Sequence, residues 1–210
     1  MVESGLKKLE KSPIIAVLRR PPKDQVFSIV EAIINGGITN LELTMEGPES
    51  LTVLKELNER FSDRAWIGAG TVLDETTAIN AIHAGASFIF SPNYNENVVK
   101  AAKRYGVTAI PGVLTPTEIV NAVEAGADAV KIFPASTLGP KYIKELKGPL
   151  PHIPMVPTGG VGEDNIGEYM QAGVLACGVG GSLLDKQLIA DENYEELTNR
   201  AKRLVDATGL

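Results

Sequence analysis

The chain has 210 residues, 44% of them hydrophobic, which is enough to bury the core of one α/β domain. A net charge of -6 argues against a nucleic-acid binder or a protein of anionic membrane surfaces. A single cysteine, Cys177, excludes an internal disulfide and a cysteine-built zinc or iron–sulfur site, reads as a small core hydrophobe, and suits a reducing compartment.

The opening, MVESGLKKLEKSP, is polar and charged, lacks the apolar stretch of a signal peptide, and predicts a short amphipathic helix. No uninterrupted apolar run approaches the roughly 18 residues of a membrane span, so a cytoplasmic location is expected. Eight strand candidates follow in order: IIAVLR (14–19), NLELTM (40–45), WIGAGTV (66–72), SFIFSP (87–92), TAIPGV (108–113), AVKIFP (129–134), MVPTGG (155–160) and ACGVGG (176–181). Between them lie segments of helical period, including ESLTVLKELNERF (49–61), TTAINAIHAGA (76–86), NENVVKAAKRYG (95–106) and PTEIVNAVEAGA (116–127). Each has apolar residues three or four apart, and most end on or near a glycine.

A degenerate phrase recurs at the helix-to-strand junctions, as NGGITNLEL, HAGASFIF, RYGVTAIP, EAGADAVK and QAGVLACG. Continuous apolar strands joined by crossover helices imply parallel strands covered by helices. Eight such units predict one α/β domain over 1–210, a (β/α)8 TIM barrel with a short N-terminal helix. A doubly wound open sheet is the alternative.

In such a barrel, chemistry belongs at the carboxyl ends of the strands. The polar and glycine residues there are Arg19, Glu42, Thr44, Thr71, Ser91, Lys131, Thr158, Gly159, Gly160, Gly180 and Gly181. Lys131 and Glu42 stand out as full charges inside apolar runs. Burial lowers a lysine's pKa and frees its amine for attack on a carbonyl, which is what Schiff-base catalysis needs. A carboxylate beside it works the other way, so Glu42 is useful only if it moves protons; a structural buried ion pair is the competing reading. PTGGVGEDN (157–165) and CGVGGS (177–182) bring backbone N–H groups to the starts of the last helices, where a phosphate fits, or else form tight turns that merely need glycine.

GAGTV (68–72) completes no nucleotide fingerprint, so nicotinamide and nucleotide cofactors are not expected. His83 and His152 read as structural or solvated, and no paired ligand spacing suggests a metal. Strand alternation allows only one of Arg19 and Arg20 to face the barrel mouth, and Arg19 is preferred.

The ordered series LELT, GAGTV, SP, IPGVLTPTEI, KIFPA, PTGG and GVGGS resembles the bacterial 2-dehydro-3-deoxy-phosphogluconate/4-hydroxy-2-oxoglutarate aldolases, over nearly the whole chain. The resemblance implies a class I aldolase, a carbon–carbon lyase of carbohydrate metabolism that forms a homotrimer and needs no metal or coenzyme. It makes Lys131 the Schiff-base lysine and Glu42 the proton carrier. Thr71 and Arg19 become contacts of the pyruvyl carboxylate. Pro92, Phe133, Thr158, Gly159 and Gly160 line the site, and Gly180, Gly181 and Ser182 form its phosphate end. The implied reaction is reversible cleavage of 2-dehydro-3-deoxy-6-phosphogluconate to pyruvate and glyceraldehyde 3-phosphate, with 4-hydroxy-2-oxoglutarate as a further substrate. Alternatives are the 6-phosphogalactonate epimer, or another phosphate-binding epimerase or synthase. Two positions depart from the pattern: Glu46 stands where many members have arginine, and Asn93 where many have glycine.

Overall fold

The computed structural model describes residues 5–209; residues 1–4, the start of the expected opening helix, and residue 210 lie outside the described part. The elements run α1 (Gly5–Lys11), β1 (Ile14–Leu18), α2 (Val26–Asn35), β2 (Asn40–Thr44), α3 (Ser50–Phe61), β3 (Trp66–Gly70), α4 (Glu75–His83), β4 (Phe88–Phe90) and α5 (Glu96–Arg104). They continue with β5 (Thr108–Ile110), β6 (Gly112–Val113), α6 (Pro116–Glu124), β7 (Val130–Ile132), a 3-10 turn (Ala135–Thr137), α7 (Gly139–Lys147), β8 (Met155–Pro157), α8 (Ile166–Gln171), β9 (Cys177–Val179), α9 (Lys186–Ala190) and α10 (Tyr194–Ala207).

All strand pairings are parallel and form two sheets, ordered β5-β4-β3-β2-β1-β9 and β6-β7-β8. The α/β class and the parallel strands are as expected, but the strand expected over 108–113 is two short ones. Pro111 sits at the break; having no N–H, it cannot donate to a ladder, and its carbonyl accepts from Lys131 N at 2.8 Å. Between β8 and β9 a single bridge pairs Thr158 with Gly178.

Period-two alternation sorts the strand residues onto two faces. Ile14, Ala16 and Leu18, Leu41 and Leu43, Ile67 and Ala69, and Val130 and Ile132 pack under the helices in the large core. The opposite face carries Ile15, Trp66, Phe88, Phe90, Ile110, Ala129, Val156 and Ala176, a second cluster that includes Leu9 of α1. A β-carbon on Gly5 would overlap Trp66 and Thr108 Oγ1, so α1 packs against the amino ends of β3 and β5.

The recurring phrase has a local cause. Its glycines Gly37, Gly85, Gly106, Gly126 and Gly173 all have positive φ, between 70° and 101°. The amide of Gly85 donates to Ile82 O and that of Ala86 to Ala81 O, a double bond pattern repeated at Gly37, Gly106 and Gly126. This closes the helix through a left-handed residue, where glycine carries no steric cost, and turns the chain into the next strand.

Candidate active site

A cleft of about 1030 Å³ lies at the carboxyl ends of the strands, and all twelve residues singled out as a site line it. Arg19 follows β1, Glu42 comes from β2, Thr71 follows β3 and Pro92 follows β4. Lys131 and Phe133 come from β7 and its end, Thr158, Gly159 and Gly160 follow β8, and Gly180, Gly181 and Ser182 follow β9. Residues spread over more than 160 positions of sequence thus share one concave surface.

Lys131 is 5% exposed and Glu42 1%. Among the described residues the lysine makes no hydrogen bond and no ion pair; its Nζ lies 4.2 Å from the ring centre of Phe90 and 4.8 Å from that of Phe133. These rings are a weak substitute for water around an ammonium. Burial accordingly lowers the Lys131 pKa, an effect the Glu42 charge opposes and the Arg19 charge reinforces. Burial pushes Glu42 up to about 7, against the pull of Lys131 and Arg19 and with a smaller upward push from Glu46. Its Oε2 is buried and, among the described residues, without a hydrogen-bond partner. The two groups feel each other's charge without a direct contact, an arrangement suited to an amine nucleophile and a carboxyl that both takes and gives protons at neutral pH. It also weakens the structural ion-pair reading of the sequence.

Thr71 closes β3 with φ 55°, a left-handed conformation rare for a β-branched residue. Such strain is characteristic of ligand-contacting positions held by their surroundings. At the far end of the cleft, Gly159 and Gly160 have φ of 94° and 72°. A β-carbon on Gly160 would crowd Ser136. The Asn165 amide donates to Gly160 O and its Oδ1 accepts from Gly162 N, both at 2.9 Å, which fixes this loop. The Ser182 hydroxyl donates to Val161 O at 2.6 Å and ties the two glycine loops together.

The expectation that only one of Arg19 and Arg20 faces the mouth is corrected. Both line the cleft, because Arg20 adopts φ 47° and leaves the strand alternation that the expectation assumed. Their guanidinium groups converge on Glu46: Arg19 Nε lies 3.3 Å from Oε2 and Arg20 Nη2 3.8 Å from Oε1. Ser91 has a structural use, its hydroxyl donating to Val72 O at 2.8 Å, and Thr44 is buried and does not line the cleft. Asn93 O accepts from Gly112 N at 3.3 Å. His83 packs edge-on to Tyr105, and Cys177 is fully buried with its thiol pushed up to about 12.

Gln25, Asp164, Asn165 and Lys186 also line the cleft and were not singled out from the sequence. They lie in loops or at helix starts, where periodicity carries no information; for Asp164 and Asn165 the signal was the polar run after PTGG. Among the described residues no group of three or more His, Cys, Asp or Glu is arranged to hold a metal ion, and no helix is long and apolar enough to cross a membrane.

The family model of the KDPG and KHG aldolases matches residues 6–200. The 2-dehydro-3-deoxy-6-phosphogalactonate aldolase of Escherichia coli is 36% identical over 94% of this chain and 95% of its own length. The 2-dehydro-3-deoxy-phosphogluconate aldolase of Pseudomonas aeruginosa is 34% identical over 91% and 85%. Among solved structures, the KDPG aldolase of Legionella pneumophila, with pyruvate captured at low pH as a covalent carbinolamine intermediate, superposes with a TM-score of 0.89 at 28% identity, covering 96% of this chain and 98% of that one.

Proposed function

We propose that this chain, a carbon–carbon lyase that belongs to the KDPG and KHG aldolase family, cleaves 2-dehydro-3-deoxy-6-phosphogluconate reversibly to pyruvate and glyceraldehyde 3-phosphate through a Schiff base on Lys131. The observation that carries the reading is Lys131, buried and without an ion-pair partner among the described residues, sharing a cleft with a Glu42 carboxyl tuned to about 7.

In the cleavage direction the free Lys131 amine adds to the C2 carbonyl to give a carbinolamine. Glu42 delivers the proton with which its hydroxyl leaves as water, and an iminium remains. Glu42, now a carboxylate, takes the C4 hydroxyl proton as the C3–C4 bond breaks. The bond's electrons flow to the iminium nitrogen, releasing the aldehyde and an enamine. Glu42 returns a proton to C3, and water hydrolyses the new iminium to pyruvate and the Lys131 amine, the proton released in that hydrolysis restoring the Glu42 carboxyl. The iminium is the electron sink, so no coenzyme enters the cycle. Arg19 and Thr71 hold the carboxylate of the oxo acid, Pro92, Phe133 and Thr158 pack around it, and the loops Gly159–Gly160 and Gly180–Ser182 take the phosphate on backbone N–H groups. 4-Hydroxy-2-oxoglutarate is a further substrate of this reading.

A second reading, cleavage of the 6-phosphogalactonate epimer, is favoured by the 36% identical relative of that name. It yields the same products and differs only in the configuration at C4.

We read the two sheets as one (β/α)8 barrel, with β5 and β6 as halves of one strand. The Thr158–Gly178 bridge and the Leu175 amide donating to Met155 O at 3.0 Å support closure between β8 and β9. We further propose one catalytic domain over 1–210, working in the cytoplasm as a homotrimer. A structural neighbour, a protein cage designed by fusing symmetric oligomeric domains, supports a symmetric assembly.

The test is incubation with pyruvate and borohydride, followed by peptide mass spectrometry. A reduced pyruvyl adduct on Lys131 is expected. Its absence from folded protein would overturn the mechanism. Assay of the two C4 epimers for pyruvate release separates the two substrate readings.

A further inference from the structure

Glu46 belongs to no role assigned so far. It lies in the turn after β2, does not line the cleft, and its side chain is 24% exposed. Two successive arginines that follow β1 nevertheless reach it. An extended backbone would send Arg19 and Arg20 to opposite sides. The left-handed φ of 47° at Arg20 turns the second side chain back, so that both guanidinium groups meet one carboxylate. A non-glycine residue holds such a conformation only where its surroundings over-determine it.

The charge contact to Arg19 is made through Nε, at 3.3 Å. Arg19 has no other hydrogen bond or ion pair among the described residues, so its two terminal nitrogens, the fork suited to a carboxylate, remain available. Its charge is felt by both Glu42 and Lys131, so it stands within electrostatic reach of the reacting groups. At 63% exposure, the Arg19 side chain would otherwise sample many rotamers.

We propose that Glu46 is a positioning residue for carboxylate recognition, gathering Arg19 and Arg20 over the cleft mouth so that the Arg19 fork faces the carboxylate of the incoming 2-oxo acid. The proposal rests on the Schiff-base reading above and deepens it. It also explains how an acidic residue serves at the mouth of a site for acids: Glu46 acts on the substrate only through the arginines it holds.

The test is borohydride trapping at graded pyruvate concentrations, run in parallel with methyl pyruvate, which keeps the ketone and lacks the charge. Glu46→Gln is expected to raise the half-saturating pyruvate concentration roughly fivefold, the scale of a partly exposed charge contact, with the maximal trapping rate nearly unchanged. Methyl pyruvate is expected to react equally well with both proteins. Glu46→Asp should recover part of the pyruvate effect, and Glu46→Gln should add nothing in an Arg19→Gln background. Removing the Glu46 charge also removes an upward push on Glu42, which otherwise sees Lys131 and Arg19, so the acid limb of cleavage should move to lower pH. Unchanged or tighter pyruvate binding in Glu46→Gln would overturn the proposal, as would an equal loss for both ketones, which marks a merely structural residue. Failure of the wild-type protein to trap pyruvate on Lys131 would instead defeat the underlying mechanism, and this proposal with it.

Discussion

Gly70 lies so close to the Glu42 carboxylate that a β-carbon on it would overlap Glu42 Oε1. Gly70 pairs with Thr44, two residues beyond Glu42 on the neighbouring strand. The glutamate side chain therefore leans toward the strand ends, over a position that has to be bare. Gly70→Ala should displace the carboxyl and cost about 1–3 kcal/mol through overpacking. Thermal unfolding reads the stability, and pyruvate release should fall more than trapping, because the proton carrier moves while the nucleophile stays.

Lys131→Met keeps the volume and apolar contacts of the side chain and removes the amine. It should lower cleavage by at least about 10³-fold, the scale seen when a covalent nucleophile is deleted, and abolish trapping. Stability should hold or rise, since the variant no longer buries an ammonium that has no ion-pair partner among the described residues. Calorimetry beside the trapping assay checks both. A variant that unfolds while the wild type does not would show the lysine to be structural.

The raised Glu42 pKa makes a stability prediction. The group is about 7 when folded against an ordinary 4.5. Between these values the folded protein holds a proton that the unfolded chain has released, so stability falls as pH rises through this window. Glu42→Gln removes the dependence. Relative to wild type, the variant should gain on the order of 1–3 kcal/mol between pH 4.5 and pH 8. Denaturant unfolding at the two pH values measures it, and a constant difference would refute the assigned shift.

Thr71 separates strain from chemistry. Thr71→Gly relieves the left-handed backbone at φ 55° and should leave stability unchanged or raise it by up to about 1 kcal/mol, while weakening pyruvate binding through loss of the hydroxyl. Thr71→Ala keeps most of the strain and loses the same hydroxyl. Equal pyruvate affinity in both variants, with the glycine protein the more stable, is the expected outcome of paired trapping and melting measurements.

The sequence by itself determined the parallel α/β order, because apolar runs, helical period and helix-ending glycines are local signals. It pointed to Lys131 and Glu42 for the same reason: a full charge between Val130 and Ile132, or between Leu41 and Leu43, interrupts an apolar run visible in a few residues. The split at Pro111 has a local cause in the sequence, a proline within an apolar run that lacks the N–H a continuous ladder needs.

Only the tertiary structure decided what those charges meet. A pKa near 7 at Glu42 arises from desolvation by neighbouring strands and from charges on β7 and after β1, and no short stretch of sequence carries a through-space field. The convergence of Arg19 and Arg20 on Glu46 depends on one left-handed dihedral that alternation could not anticipate. Gln25 and Lys186 reach the cleft wall from loops and helix starts far apart in the chain. Periodicity records which way a side chain faces along its own element; which other elements it then meets is set by how the strands and helices pack together.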